Sequence, residues 1–353
     1  MRHHAFVSGP RHALVHLTPL LVAGLALLLA GMIMLAVSVG STGIPLSDVW
    51  KIIASHLGVS GIEPDWSAGR DNIVWQVRLP RALLGAIIGA SLALVGAALQ
   101  AVTRNTLADP HLLGISSGAA LGAIIVLLHT GTFLGLVTVP LFAFLGAMAS
   151  TLLVVGIAGF TRATNASRLV LTGVAISFVI TSLGSLAILL GDPRATHTVV
   201  FWMLGGLGLA QWTYLPYPLA VLAACGAYLI LKARDFNAMT LGDESATTLG
   251  IRAERFRMTV FVVCALLTGA AVAFSGVISF IGLMIPHVVR FVVGGDYRRV
   301  LPLAALTGAI FLVGADIAAR TLIPPQDTPL GIITGLAGGL FFIWMMRGNR
   351  TTG

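Results

Sequence analysis

Charge is what this chain has least of. Only 10% of its 353 residues are Asp, Glu, Lys or Arg, and 13 of them are acidic, against roughly a quarter charged in soluble domains. A soluble fold of this length could not keep its surface wet with so few charges, so soluble enzymes and carriers are excluded. Cysteine is nearly absent too. Cys225 and Cys264 lie inside apolar stretches, which rules out a disulfide framework and reads as packing. No Gly-x-x-x-x-Gly-Lys-Ser/Thr run occurs, so the chain has no phosphate loop for hydrolysing ATP in the usual way. The histidines, among them His3, His4, His111 and His287, lack the clustered carboxylates or cysteines that a metal site needs. No paired catalytic groups are visible either, which sets an intramembrane enzyme aside.

What the chain has in quantity is apolar length. Hydrophobic residues make up 57%, and runs close to the twenty residues that cross a bilayer fall near 18–37, 80–102, 112–128, 139–160, 169–190, 214–231, 258–274, 283–293, 301–319 and 330–346. The expected fold is all-α, a polytopic membrane protein with about ten transmembrane helices. Ten spans put both termini on one side. With the N-terminus inside, fifteen Lys and Arg fall on the cytoplasmic side and six outside, which favours that orientation. The net charge of +8 is then topological; no single basic face exists for nucleic acid. The organisation follows: a cytoplasmic tail over 1–17, a membrane domain over 18–346 containing a cytoplasmic loop at 235–257, and a tail over 347–353. The first span reads as an uncleaved anchor. Trp50, Trp66 and Trp75 in the outer segment after it read as an interfacial belt.

The most informative stretch runs from Arg78 to Gly118. It opens Arg78-Leu79-Pro80-Arg81, with proline placed for a first helical turn. Gly85, Gly89 and Gly96 then notch one helical face for close helix contact. A polar reversal follows, from Asn105 through Asp109-Pro110-His111 to Ser116-Ser117-Gly118. A second stretch, Gly276-Val277-Ile278-Ser279-Phe280-Ile281-Gly282-Leu283-Met284-Ile285-Pro286-His287-Val288-Val289-Arg290, has the same mixture of glycine, proline and charge. Together they resemble the two signatures of the FecCD-type permeases, membrane subunits of bacterial ATP-driven importers for iron siderophores, haem and vitamin B12. The resemblance covers about residues 50 to 344 and implies a BtuC-like permease fold in the bacterial inner membrane.

That resemblance implies partners. A second permease copy, identical or homologous, completes the pathway; two ATP-binding subunits, carrying ATP and Mg, dock inside; a substrate-binding protein delivers cargo outside. This chain itself needs no cofactor. In the 235–257 loop, Gly242, Asp243, Ala246, Leu249 and Gly250 match the family's Gly-acid-x-x-Ala-x-x-Leu-Gly coupling pattern, so Leu241 to Gly250 is expected to seat on the ATPase. Asp243 can cap a short helix there, Glu244 suits its positive end, and Gly250 can terminate it. Ala246, taken as part of the docking face, is a position where arginine should uncouple transport without unfolding the chain. Arg78 and Arg320 correspond to arginines that meet acids on the binding protein, with simple interface anchoring as the alternative. Asn105, Leu107, Asn165 and Ser167 resemble the inner gate, and Gly173, Ala175 and Ser177 of the fifth span are expected to form a smooth pathway wall.

Asp316 stands out because an acid within a span is costly. It precedes Arg320 by one helical turn, where the two can pair. A secondary transporter driven by an ion gradient is the alternative function, but no second intramembrane acid completes a relay. Two departures from the family pattern occur: Asp327-Thr328-Pro329 replaces the usual Glu-x-Pro, and Gly338-Gly339 is not followed by proline, so any kink in the last span must come from the glycines.

Overall fold

The computed structural model describes residues 18–40, 42–110, 114–160, 166–323 and 326–348; most of the two tails and Asn165 lie outside them. Helix α1 (Thr18–Ser38) leads to a small substructure made of α2 (Leu46–His56), α3 (Ala68–Asn72) and a wide helical turn, Ile73–Arg78. Then come α4 (Leu79–Thr103), α5 (Ile115–Ile125), α6 (Thr138–Phe160), α7 (Ala166–Leu189) and the short α8 (Pro193–Met203). Helix α9 (Pro216–Leu231) bends by 56° into α10 (Ala233–Thr240). After α11 (Asp243–Thr248) the chain continues through α12 (Ala253–Ser275), α13 (Ile281–Val293), α14 (Tyr297–Thr321) and α15 (Leu330–Gly348). Among the described residues no strand occurs.

Six helical segments are long and apolar enough to span a membrane alone; the bent α9–α10 pair and three shorter apolar segments occupy the remaining expected runs. All ten runs read from the sequence are therefore helical. Helix α13 has only 13 residues, about 20 Å at 1.5 Å per residue, and is the shortest of those three segments.

Helix α4 is the axis of the bundle. From Leu79 to Thr103 nearly every residue is buried, packed against α14, α12, α13 and α9. The glycine notches explain how. A Cβ at Gly89 would overlap the carbonyl of Gly308 in α14, and one at Gly96 would overlap that of Gly282 in α13. Where lipid removes any hydrophobic drive between helices, such backbone approach supplies the van der Waals contact that holds them.

The tryptophans of the segment after α1 are not simply a lipid belt. Trp75 stacks on His56 with ring centroids 4.3 Å apart and its carbonyl accepts from Trp212 Nε1 at 2.7 Å, while Trp66 Nε1 donates to Asp71 at 3.0 Å. Trp66 and Trp75 pack on a second core that includes Val49, Ile52, Val74 and the end of α1; Trp50 alone is largely exposed. In the last span the first of the two glycines serves a close contact. Gly338 makes room for the ring of Phe280, a residue held at φ 71°, a backbone region that costs a bulky side chain about 1–3 kcal/mol.

Candidate functional site

The two ends of α4 carry the polar chemistry. At the Arg78 end, α1 finishes with carbonyls that have no partner in their own helix. Arg78 Nη1 donates to the carbonyls of Val37 (2.9 Å) and Ser38 (3.0 Å), and its Nη2 to that of Thr42 (2.6 Å). Arg320 completes the set, with Nη1 to Val39 and Nη2 to Ala36, both at 2.8 Å. Two guanidiniums thus satisfy the negative end of the α1 dipole. The structure places both away from the surface: Arg78 is 6% exposed and the Arg320 side chain 9%. The pair expected to offer open docking groups is turned inward, onto the carbonyls at the end of α1.

Asp316 sits beneath them, 1% exposed. It pairs with Arg320 Nε at 3.0 Å, as the one-turn spacing predicts, and also with Arg81 Nε at 2.9 Å. Arg81 in turn donates to Asp327 at 2.6 Å. Sequence reasoning found no partner for Arg81, since both of its partners lie in α14 and the turn beyond it. Asp327, the acid that departs from the family's Glu, thus has a structural partner.

At the Arg104 end, the short helix expected in the loop is α11, paired with α10 before it. Gly242, at φ 115°, turns the chain between them, and Gly250, at φ 84°, ends the second. Asp243 is not a cap: it is the first helical residue, and its carboxylate accepts both bonds from Arg257 Nη2, at 2.7 and 2.8 Å. Arg257 Nε donates to the Val102 carbonyl in the last turn of α4 at 3.1 Å. Ala246 is fully buried, so the expectation that arginine could replace it within a folded chain is corrected: the position faces the bundle. Leu241 and Leu249 are 69% and 64% exposed, and with Glu244 and Ser245 they form the outward face. Arg257 was missed because its partners are remote in sequence.

Beside this segment Asn237 of α10 joins α14. Its amide nitrogen donates to Asp296 at 2.7 Å and its oxygen accepts from the Tyr297 backbone N–H at 2.8 Å. Partial burial works to raise the Asp296 carboxyl, but hydrogen bonds from Arg298 and Asn237 outweigh it and hold the pKa at about 2. Deeper, Gln100 Nε2 donates to Gly282 at 3.0 Å and its oxygen accepts from Arg290.

The expected gate residues are exposed where described. Asn105 accepts from the Leu107 backbone N–H at 2.9 Å in a tight local turn, with Leu107 55% exposed. Ser167 is exposed in the first turn of α7, and Asn165 lies outside the described residues. The expected pathway wall does not form as one face. Gly173 and Ser177 stack one turn apart against Gly114, while Ala175, two residues from each, points away and is exposed. Ser177 instead continues into Thr181 and Ser185, a hydroxyl row at four-residue spacing that was legible in the sequence and not used. With Ser116 and Ser117 of α5 it lines a cavity of about 270 Å³. Among the described residues no group of His, Cys, Asp or Glu could hold a metal.

This arrangement has counterparts among known proteins. The ABC transporter permease protein YvrB of Bacillus subtilis is 40% identical over 92% of this chain and 93% of its own. The hemin transport system permease protein HmuU of Yersinia pestis is 38% identical over 81% of this chain and 87% of its own. Further relatives are named for import of vitamin B12 in Vibrio cholerae, iron(3+) dicitrate in Escherichia coli and iron(3+)-hydroxamate in Bacillus subtilis. A solved inward-facing transporter assigned to the metal-chelate ABC type superposes with a TM-score of 0.80 at 27% identity, covering 94% of this chain and 99% of that one. The profile of the FecCD transport family matches residues 27–348. This chain therefore belongs to the FecCD transport family and is a multi-pass membrane permease.

Proposed function

We propose that this permease imports a ferric siderophore by alternating access, powered by two ATPase subunits and fed by an extracytoplasmic binding protein, with haem and cobalamin as the competing cargoes. The N- and C-termini face the cytoplasm of a bacterial inner membrane, so the Arg104 end of α4 is inside and the Arg78 end outside. A second copy of the chain, or a homologue, faces α7 across the pathway. The exposed side of α7 that carries Ala175 then meets the cargo, and Asn105, Leu107, Asn165 and Ser167 close the inner end.

The observation that carries this reading is the outward face of α10–α11. Two leucines at the edges of a short, well-anchored helix, with glycine joints and a buried alanine beneath, make a rigid apolar knob, the kind of anchor that dominates protein interfaces. Leu241, Gly242, Asp243, Ala246, Leu249 and Gly250 divide the work: Leu241 and Leu249 contact the ATPase, and the other four fix the shape that presents them. Outside, Arg78 and Arg320 contribute by building the rim and its positive field, which the binding protein's acids meet. The geometry argues against gradient-driven transport, because both oxygens of Asp316 are already engaged, one by Arg81 and the other by Arg320.

The test is ATPase activity of the permease co-purified in lipid nanodiscs with its cognate ATPase subunit. The binding protein is added loaded with ferric siderophore, haem or cobalamin. Stimulation by the ferric siderophore form alone is expected. Stimulation by another form reassigns the cargo, and failure to recruit any ATPase rejects the importer.

A further inference from the structure

We infer that Arg257 is a strut through which the docking segment moves α4: a positioning residue for transport, not a contact for the ATPase. The inference rests on the proposed docking of an ATPase at α10–α11, and extends it from where force enters to how it leaves.

Arg257 is only 2% exposed and is the bulkiest of the fully buried side chains. A buried cation is costly compared with an apolar residue of similar volume, so adhesion alone does not account for it. What a guanidinium supplies is a fixed angle. Its Nη2 lies 2.7 and 2.8 Å from the two oxygens of Asp243, its Nε 3.1 Å from the Val102 carbonyl, and the planar fork sets these directions relative to one another. The Val102 carbonyl lies in the last turn of α4, where it is free of an intrahelical partner and favours a cation. Arg257 itself belongs to α12, so one side chain ties three helices.

Helix α11 has little else to hold it. Its ends are the glycine joints Gly242 and Gly250, and Ala246 is its one buried residue. Without the strut, load on Leu241 and Leu249 would swing six residues about two glycines. With it, α11, α12 and α4 move as one body. Arg104, just past the end of α4, adds a longer contact to Asp243 at 3.6 Å. At the far end of α4, Arg81 is bonded to Asp316 of α14, so displacement entering at α11 reaches the outer rim without passing through a flexible loop.

The experiment uses the permease–ATPase complex in nanodiscs and needs no cargo. A cysteine replaces Leu322, which is 63% exposed at the outer end of α14, with Cys225 and Cys264 changed to alanine. Maleimide labelling of that thiol is compared with and without ATP plus vanadate, alongside ATPase recruitment and hydrolysis. For Arg257→Lys, which keeps the charge and loses the fork, recruitment and hydrolysis should stay near wild type. The nucleotide-dependent change in labelling rate should shrink at least about fivefold, the lower end of typical site-to-site coupling. Asp243→Asn carries the same expectation for the labelling change and decides the matter if Arg257→Lys does not fold. A wild-type complex that recruits ATPase and variants that move the rim as wild type does overturn the strut alone. A wild-type permease that recruits no ATPase overturns the proposed function and the strut with it.

Discussion

Arg78 and Arg320, one at the start of α4 and the other near the end of α14, divide the C-terminal carbonyls of α1 between them. Arg320 takes Ala36 and Val39; Arg78 takes Val37 and Ser38. No carbonyl is shared, so neither arginine can stand in for the other.

Replacing Arg78 with methionine therefore leaves the buried Val37 carbonyl without a donor and should lower stability by about 1–3 kcal/mol. Thermal unfolding in nanodiscs measures it. Arg320→Glu should do more damage, because it sets a carboxylate against Asp316 and two carbonyls. A lysine placed on the binding protein should not rescue that variant. Rescue would show that the guanidinium leaves α1 to meet its partner.

Asp316→Asn keeps the shape and removes the charge between Arg81 and Arg320. Both arginines retain other acceptors, so the loss should be about 1–3 kcal/mol, smaller than that of an abandoned buried ion. Uptake should remain insensitive to a collapsed proton gradient in wild type and variant alike. Transport that followed the gradient with ATP exhausted would return Asp316 to a relay role.

At the docking segment, Leu241→Asp and Leu249→Asp should each weaken ATPase binding by at least about thirtyfold, the scale of an interface anchor worth 2 kcal/mol. The permease should remain folded. Ala246→Arg should instead reduce the yield of folded permease, because a long cation would enter a closed contact. Size-exclusion profiles beside pull-down separate the two outcomes.

Asp296 gives the fold a pH signature. Its folded pKa of about 2 lies below the ordinary 3.8, so the native state binds fewer protons than the unfolded chain between those values. Its contribution is complete above pH 3.8 and fades as pH falls toward 2. Asp296→Asn should flatten that part of the unfolding profile; an unchanged acid limb would place the sensitivity elsewhere. The partly exposed site keeps the effect modest.

The sequence was most legible where one helix explains itself. Apolar runs marked all ten spans, and the one-turn spacing of Asp316 and Arg320 announced their pairing. Glycine at 89 and 96 marked close approach, though not that the partners were Gly308 and Gly282. What could not be read were partners brought together by tertiary packing. Arg78 looked free because the α1 carbonyls it satisfies are acceptors that every helix end has and no residue type reveals. Asp243 looked like a cap until Arg257 arrived from the next span. Ala175 and Ser177 were grouped by chemistry, whereas two residues along a helix turn by about 200° and separate them onto opposite faces. Gly338 was read for the bending that glycine permits, and a sequence does not show that a neighbouring ring fills the space beside it.

The seat that Gly338 offers to Phe280 also bears on the order in which the protein can be built. Phe280 leaves the ribosome before the helix that will hold its ring, and the left-handed turn opening α13 must wait for the last span to be delivered into the membrane. The same is true at the other end: Arg78 can reach α1 as soon as the second span inserts, but Ala36 and Val39 wait for Arg320. The bundle is thus closed from its C-terminal side, and a ribosome that stalls before α15 leaves a nascent chain with its short eighth span unset, a form that membrane quality control could recognise by that unfinished turn.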